Sequence, residues 1–171
     1  MIDTSPTTPS PATLNRLKAS AARANRISVD SYQRLQEFAK SMPKVGVVDD
    51  QHHSKAEVDR AWFFASISRE VAGLTVRISD ELMFLCSVAI TSGIIRGKVR
   101  QKLAKALDSA QSMPGQPVDL RQWRLRRMPI DDALRHIMDN LDIMCDQIDG
   151  LMLALTAPQW DDVTVDDIAR G

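Results

Sequence analysis

The sequence predicts an all-α protein, a bundle of about five or six helices in one domain. Three observations carry that expectation. Apolar residues recur at spacings of three and four over several long stretches. The apolar inventory is Leu, Ile, Ala and eight Met, with only 5% aromatics, which fits helical cores better than sheet cores. Proline punctuates the periodic stretches at Pro43, Pro114, Pro117, Pro129 and Pro158. At 171 residues the chain can bury a substantial core, and no repeat of solenoid length is present.

Residues 1–11 are Ser, Thr and Pro with little to bury, and read as a flexible tail, disordered unless a partner pins it. The start has no basic or apolar leader segment. From Ala12 to Met42 the pattern is helical, through Leu14, Leu17, Ala21, Ala24, Ile27, Leu35 and Phe38. Ser28 or Asp30 can cap a second segment there, which allows two helices with a bend. Arg16, Lys18, Arg23 and Arg26 make the first half basic. They fit either a solvated face or an arm laid on phosphate.

A loop follows near 43–53. Its Asp49, Asp50, His52 and His53 are potential metal donors, but their spacing matches no ligand motif. Ser54-Lys-Ala-Glu57 is a capping box that opens the next helix. That helix runs through Trp62, Phe64, Ile67, Val71, Leu74 and Ile78. Ser79-Asp80-Glu81 either restarts it or forms an exposed turn of it. Leu82 to Ile95 is the most apolar window; at fourteen residues it is too short for a membrane span and reads as a helix buried on most sides. Gly93 and Gly97 mark a break.

Residues 99–113 resume as a helix whose polar side holds Arg96, Lys98, Arg100, Lys102 and Lys105. The loop near 114–118 ends it, and a short basic segment follows with Arg121, Trp123, Arg124, Arg126 and Arg127. Pro129 to Thr156 is the clearest helix in the chain. One row is Leu134, Leu141, Ile148 and Leu155; the other is Ile130, Ile137, Met144 and Leu151; Met138, Cys145 and Met152 widen the stripe. Asp132, Asp139, Asp142, Asp146 and Asp149 make its far side acidic, and His136 beside Asp132 reads as a surface pair. The tail 158–171 is acidic, with Trp160, Val163, Val165 and Ile168 as apolar anchors able to fold back or dock on a neighbour.

Net charge is zero, but the signs are segregated. Residues 94–127 carry nine Lys/Arg against two acids, and residues 128–171 carry ten Asp against two Arg. Such asymmetry points to a nucleic-acid surface or to packing between copies of the chain. Catalysis finds little support. Gly93 to Val99 lacks the spacing and the hydroxyl of a phosphate loop, Glu totals four, and Cys86 and Cys145 lie in apolar context as buried, reduced thiols.

The first expectation is therefore a non-catalytic, cytoplasmic subunit of a nucleoprotein assembly. It would touch DNA or RNA backbone through Arg96, Lys98, Arg100, Lys102 and Lys105 and through Arg121, Arg124, Arg126 and Arg127, with Trp123 stacking on an unpaired base. Small helical subunits of RNA-guided complexes and plasmid or phage DNA accessory proteins are analogies of type. The alternative is a protein–protein adaptor or chaperone-like bundle with no nucleic-acid contact. Either way the partners expected are protein subunits, copies of the chain included, with no cofactor, metal, membrane or small-molecule substrate.

Overall fold

The computed structural model describes residues 9–42, 55–91, 97–98, 101–102, 105 and 128–156. Among these, regular structure is all helical, and three long helices stand out: α1 (Pro11–Ser41), α2 (Lys55–Thr91) and α3 (Ile130–Leu155). None of them is long and apolar enough to cross a membrane. The all-α expectation is met; a count of five or six is not, since the stretches expected to supply the remainder lie largely outside the described residues.

α1 begins at Pro11, one residue earlier than the expected tail allows. Ser10 is its N-cap: the Ser10 Oγ accepts from the Thr13 N–H at 3.2 Å, and Pro11 occupies the first helical position, where no N–H is needed. The Ser10 N–H itself donates to Asp131 Oδ1 at 3.1 Å, and Pro9 is buried. The flexible tail expected over 1–11 is thus corrected at residues 9–11. The bend at Ser28–Asp30 is also corrected: α1 is continuous to Ser41, and the Ser31 hydroxyl, which is buried, donates to the Ser28 carbonyl at 3.2 Å inside the helix. Pro43 follows the end, as helix-stopping chemistry requires.

α2 begins at Lys55, one residue after the cap position of the box, with Glu57 in its first turn. It does not restart at Ser79–Glu81. Ser79 and Asp80 are exposed, but Glu81 faces inward and is only 6% exposed. Gly97 has a φ of +71°, a left-handed conformation that glycine adopts without strain, while residues 92–96, where the break was expected, lie outside the described residues. α3 opens with the Pro129 carbonyl accepting from the N–H groups of Asp132 and Ala133, both at 3.0 Å. It ends with Thr156, whose hydroxyl donates to the carbonyls of Met152 and Leu153.

The chain divides into two compact units, and each long helix contributes to both. In the first, residues 9–24, 77–91 and 128–143 meet around Leu17, Ala24, Ile78, Leu85, Val88, Leu134, Ile137, Met138 and Leu141. α1 and α3 run in the same direction there, since Ser10 meets Asp131 while Arg16 meets Asp139 and Asp142. Asn140 donates to the buried Glu81 carboxylate at 3.4 Å, a polar pin between α2 and α3. In the second unit, residues 25–42, 55–76 and 144–156 meet around Ser31, Ile67, Val71, Leu74, Met144, Cys145, Ile148 and Met152. All three apolar rows of α3 supply core residues, as the heptad pattern foretells. Fully burying a Leu or Ile of these rows contributes about 2–3 kcal/mol each.

Candidate functional site

The second unit leaves an apolar groove open between α1 and α2. Ser31, Tyr32, Leu35, Gln36 and Ala39 line one wall, and Phe64, Ser68, Val71, Ala72 and Thr75 line the other, around about 420 Å³. Local sequence explains both walls. On α1, positions 32, 35/36 and 39 follow helical spacing and form a second stripe beside the buried Ser31. The charged neighbours Asp30, Arg34 and Glu37 fall on the opposite side of that helix. On α2, Ala61, Phe64, Ala65, Ser68, Ala72, Thr75 and Val76 share one face, while Ile67, Val71 and Leu74 point into the core. From Ala61 to Val76 the only charged residues are Arg69 and Glu70; helical spacing sets Glu70 off that face and puts Arg69 at its exposed edge, beside Ala65, Ala72 and Val76.

The hydroxyls along the walls mostly turn back on their own helices. Thr75 donates to the Val71 carbonyl at 2.8 Å, Ser31 to the Ser28 carbonyl, and the Tyr32 hydroxyl accepts from Gln36 Nε2 at 2.9 Å. Ser68 Oγ is the exception: it is buried with no hydrogen-bond partner. The groove therefore offers dispersion contacts and one unmatched hydroxyl. Tyr32 is 62% exposed, and Trp62 and Val76, at the outer edge of α2, are 70% and 61% exposed. These side chains leave apolar surface open to solvent along both walls.

Of the basic residues singled out by sequence, Lys98, Lys102 and Lys105 are described; all three are helical and exposed, at spacings that put them on one face. Arg96, Arg100, Arg121, Trp123, Arg124, Arg126 and Arg127 lie outside the described residues, as do Asp49, Asp50, His52, His53 and the tail 158–171. The basic start of α1 is in part occupied by its own molecule. Arg16 Nη2 donates to Asp139 at 2.5 Å and to Asp142 at 3.2 Å, and these two bonds, Asp139 first, push the guanidinium pKa up. Asp132 takes Arg135 as partner at 3.2 Å, which corrects the expected pairing with His136.

Among the described residues, no cluster of His, Cys, Asp and Glu has the makings of a metal site. Cys145 is buried, as expected, whereas Cys86 is only half-buried; burial still pushes its thiol pKa up, so it stays protonated at neutral pH. No protein-family model, no curated protein and no solved structure matches this chain.

The groove is what residue-by-residue reasoning missed. Its signal was present in the uncharged run Ala61 to Ser68, resumed from Val71 to Val76, within a helix that already had a core-facing side. A helix with two apolar sides normally has two sets of neighbours.

Proposed function

We propose that this chain is a non-catalytic helical subunit that binds a protein helix in the α1–α2 groove of its second unit. The groove is the observation that carries this reading. It is elongated along two helices, uncharged, and about two to three helical turns long at ~1.5 Å per residue. Those are the requirements for receiving the apolar face of an amphipathic helix at i, i+3/i+4 and i+7. Its walls hold no nucleophile paired with a base, which supports a binding role over a catalytic one.

A photo-cross-linking amino acid at Ala72, in cells that make the protein, tests it. Protein adducts are expected from Ala72 and not from Glu37, which lies on the far side of α1. Equal labelling from both positions, or none from Ala72, defeats the proposal.

A second reading is favoured by the exposed row Lys98, Lys102 and Lys105: contact with DNA or RNA backbone within a larger assembly, through segments 96–105 and 121–127. Binding of labelled single strands at low and moderate salt separates it from the first. Lys98→Glu, Lys102→Glu and Lys105→Glu together are expected to flatten the salt dependence by about three counterions' worth, near −0.7 in log–log slope per phosphate for single strands. Absence of low-salt binding by the wild type sinks this second reading and leaves the groove untouched.

A further inference from the structure

We infer that the helix received by the groove carries a hydrogen-bonding side chain at an inner position, facing Ser68, and a carboxylate on the flank that passes Arg69; this deepens the protein-binding reading proposed above and rests on it. Two adjacent residues of α2 supply the argument, one inside the groove and one on its edge.

Ser68 is the inside residue. Other hydroxyls along these walls show the ordinary alternative. Thr75 donates to the carbonyl four residues back at 2.8 Å, and Ser31 to the carbonyl three residues back at 3.2 Å. Ser68 has the same choice at the Phe64 carbonyl and does not take it: its Oγ is buried without a hydrogen-bond partner. A hydroxyl held that way in apolar surroundings is costly. The residue itself lines the groove and is half-buried. A turn about its single χ1 torsion, which breaks no existing bond, carries the oxygen toward the groove. An occupant that is hydrocarbon throughout seals this hydroxyl unmatched, whereas a side-chain hydroxyl or amide pairs with it. Ser68 stands one turn in from Phe64 and two turns from Thr75, the two ends of this wall. Its counterpart therefore belongs to the body of the docked helix and not to its tip. One polar pair among apolar contacts also sets the register of two helices.

Arg69 is the edge residue. It is exposed, and helical spacing places it beside Ala65, Ala72 and Val76 on the outer ridge of α2, level with Ser68. Glu70 falls about 100° further round the helix, away from the groove. The other charges near this face are Glu57, in the first turn of α2, and Lys40, in the last turn of α1. Both stand outside the lining residues, and their signs are opposite. Glu57 is eleven residues from Ser68, about 16 Å along the helix. The middle of the groove therefore presents one charge, a guanidinium at its α2 edge. A carboxylate on the occupant complements it, and a cation there is repelled. The partner's chemistry follows: apolar anchors at i, i+3/i+4 and i+7, interrupted once by a hydroxyl or amide, with an acidic flank toward α2.

Four synthetic amphipathic helices of about 20 residues, long enough to hold a helix, test this against the full chain by fluorescence anisotropy. Their anchors are Leu, their centre is Thr or its isostere Val, and their flank is Glu or Lys. The Thr-centred, Glu-flanked peptide is expected to bind about 5-fold or more tightly than its Val-centred or Lys-flanked counterpart. Ser68→Ala is expected to remove the preference for Thr over Val, and Arg69→Glu to reverse the preference for Glu over Lys, with helicity by circular dichroism unchanged in both. In the free chain, Ser68→Ala is expected to raise the melting temperature by more than Ser66→Ala, a change at an exposed serine of the same helix that controls for helix propensity. A Ser68→Ala chain no more stable than the Ser66→Ala chain means that the hydroxyl is already satisfied, and overturns the inference. A Val-centred or Lys-flanked peptide bound as tightly as the Thr-centred, Glu-flanked one overturns it too, and leaves the groove reading standing. If none of the four binds, the inference fails, and the adducts from Ala72 decide whether the groove reading survives it.

Discussion

Arg16 shows how much a single side chain decides in this molecule. It lies on a helix that sequence reads as a possible phosphate-binding arm, yet its guanidinium already bridges Asp139 and Asp142 on α3. All three side chains are a third or more exposed, so solvent and salt screen the pair. Arg16→Ala is expected to cost about 0.5–1 kcal/mol at low ionic strength and little in high salt, checked by denaturant midpoints at two salt concentrations.

Cys86 gives a pH-dependent counterpart. Desolvation raises its folded pKa above that of the unfolded chain, so the unfolded thiol loses its proton first as pH rises. The stability it contributes is full below the unfolded thiol pKa of about 8.5 and is lost as pH climbs through the folded value. Alkylation in the native state should accordingly be slower than in the unfolded state at neutral pH and speed up only in the alkaline range, with Cys145 labelled only on unfolding.

At the scale of the element, α3 is the organising helix. Leu141, with no exposed surface, sits in the middle of one apolar row, and Leu141→Ala is expected to cost about 3–4 kcal/mol by chemical denaturation, as a transfer term plus a cavity term. Gly150 of the same helix is exposed, with open space where a Cβ would go. Gly150→Ala should raise stability by about 0.5–1 kcal/mol, read as a higher melting temperature.

The apolar rows of α3 were legible because a seven-residue repeat and an acidic far side agree on which face is buried. Ser10 and Pro11 carry the signal of an N-cap followed by Pro at the first position, but the polar composition of residues 1–11 reads as a tail, and the cap was missed. The continuity of α1 was not legible. Ser28 and Asp30 are good caps in isolation, and only the burial of Ser31 against its neighbours overrides them.

Taken whole, the molecule is finished unevenly. In the first unit α1 buries Leu17, Ser20 and Ala24; in the second, Ser31 is the fully buried residue of its α1 segment. Hydrogen exchange should find the amides of residues 25–41 less protected than those of α3.

Periodicity, capping and turn chemistry are local, so the amino-acid order was enough to establish an all-helical chain, the extent of α3 and which of its faces goes inward. Pairings such as Arg16 with Asp139 and Asp142, or Glu81 with Asn140, join residues far apart along the chain, and no local pattern selects them. The groove belongs to the same class. α2 is apolar on two sides, and which side faces the core and which stays open was decided only when three helices met, because burial is a property of neighbours and not of the residue that is buried.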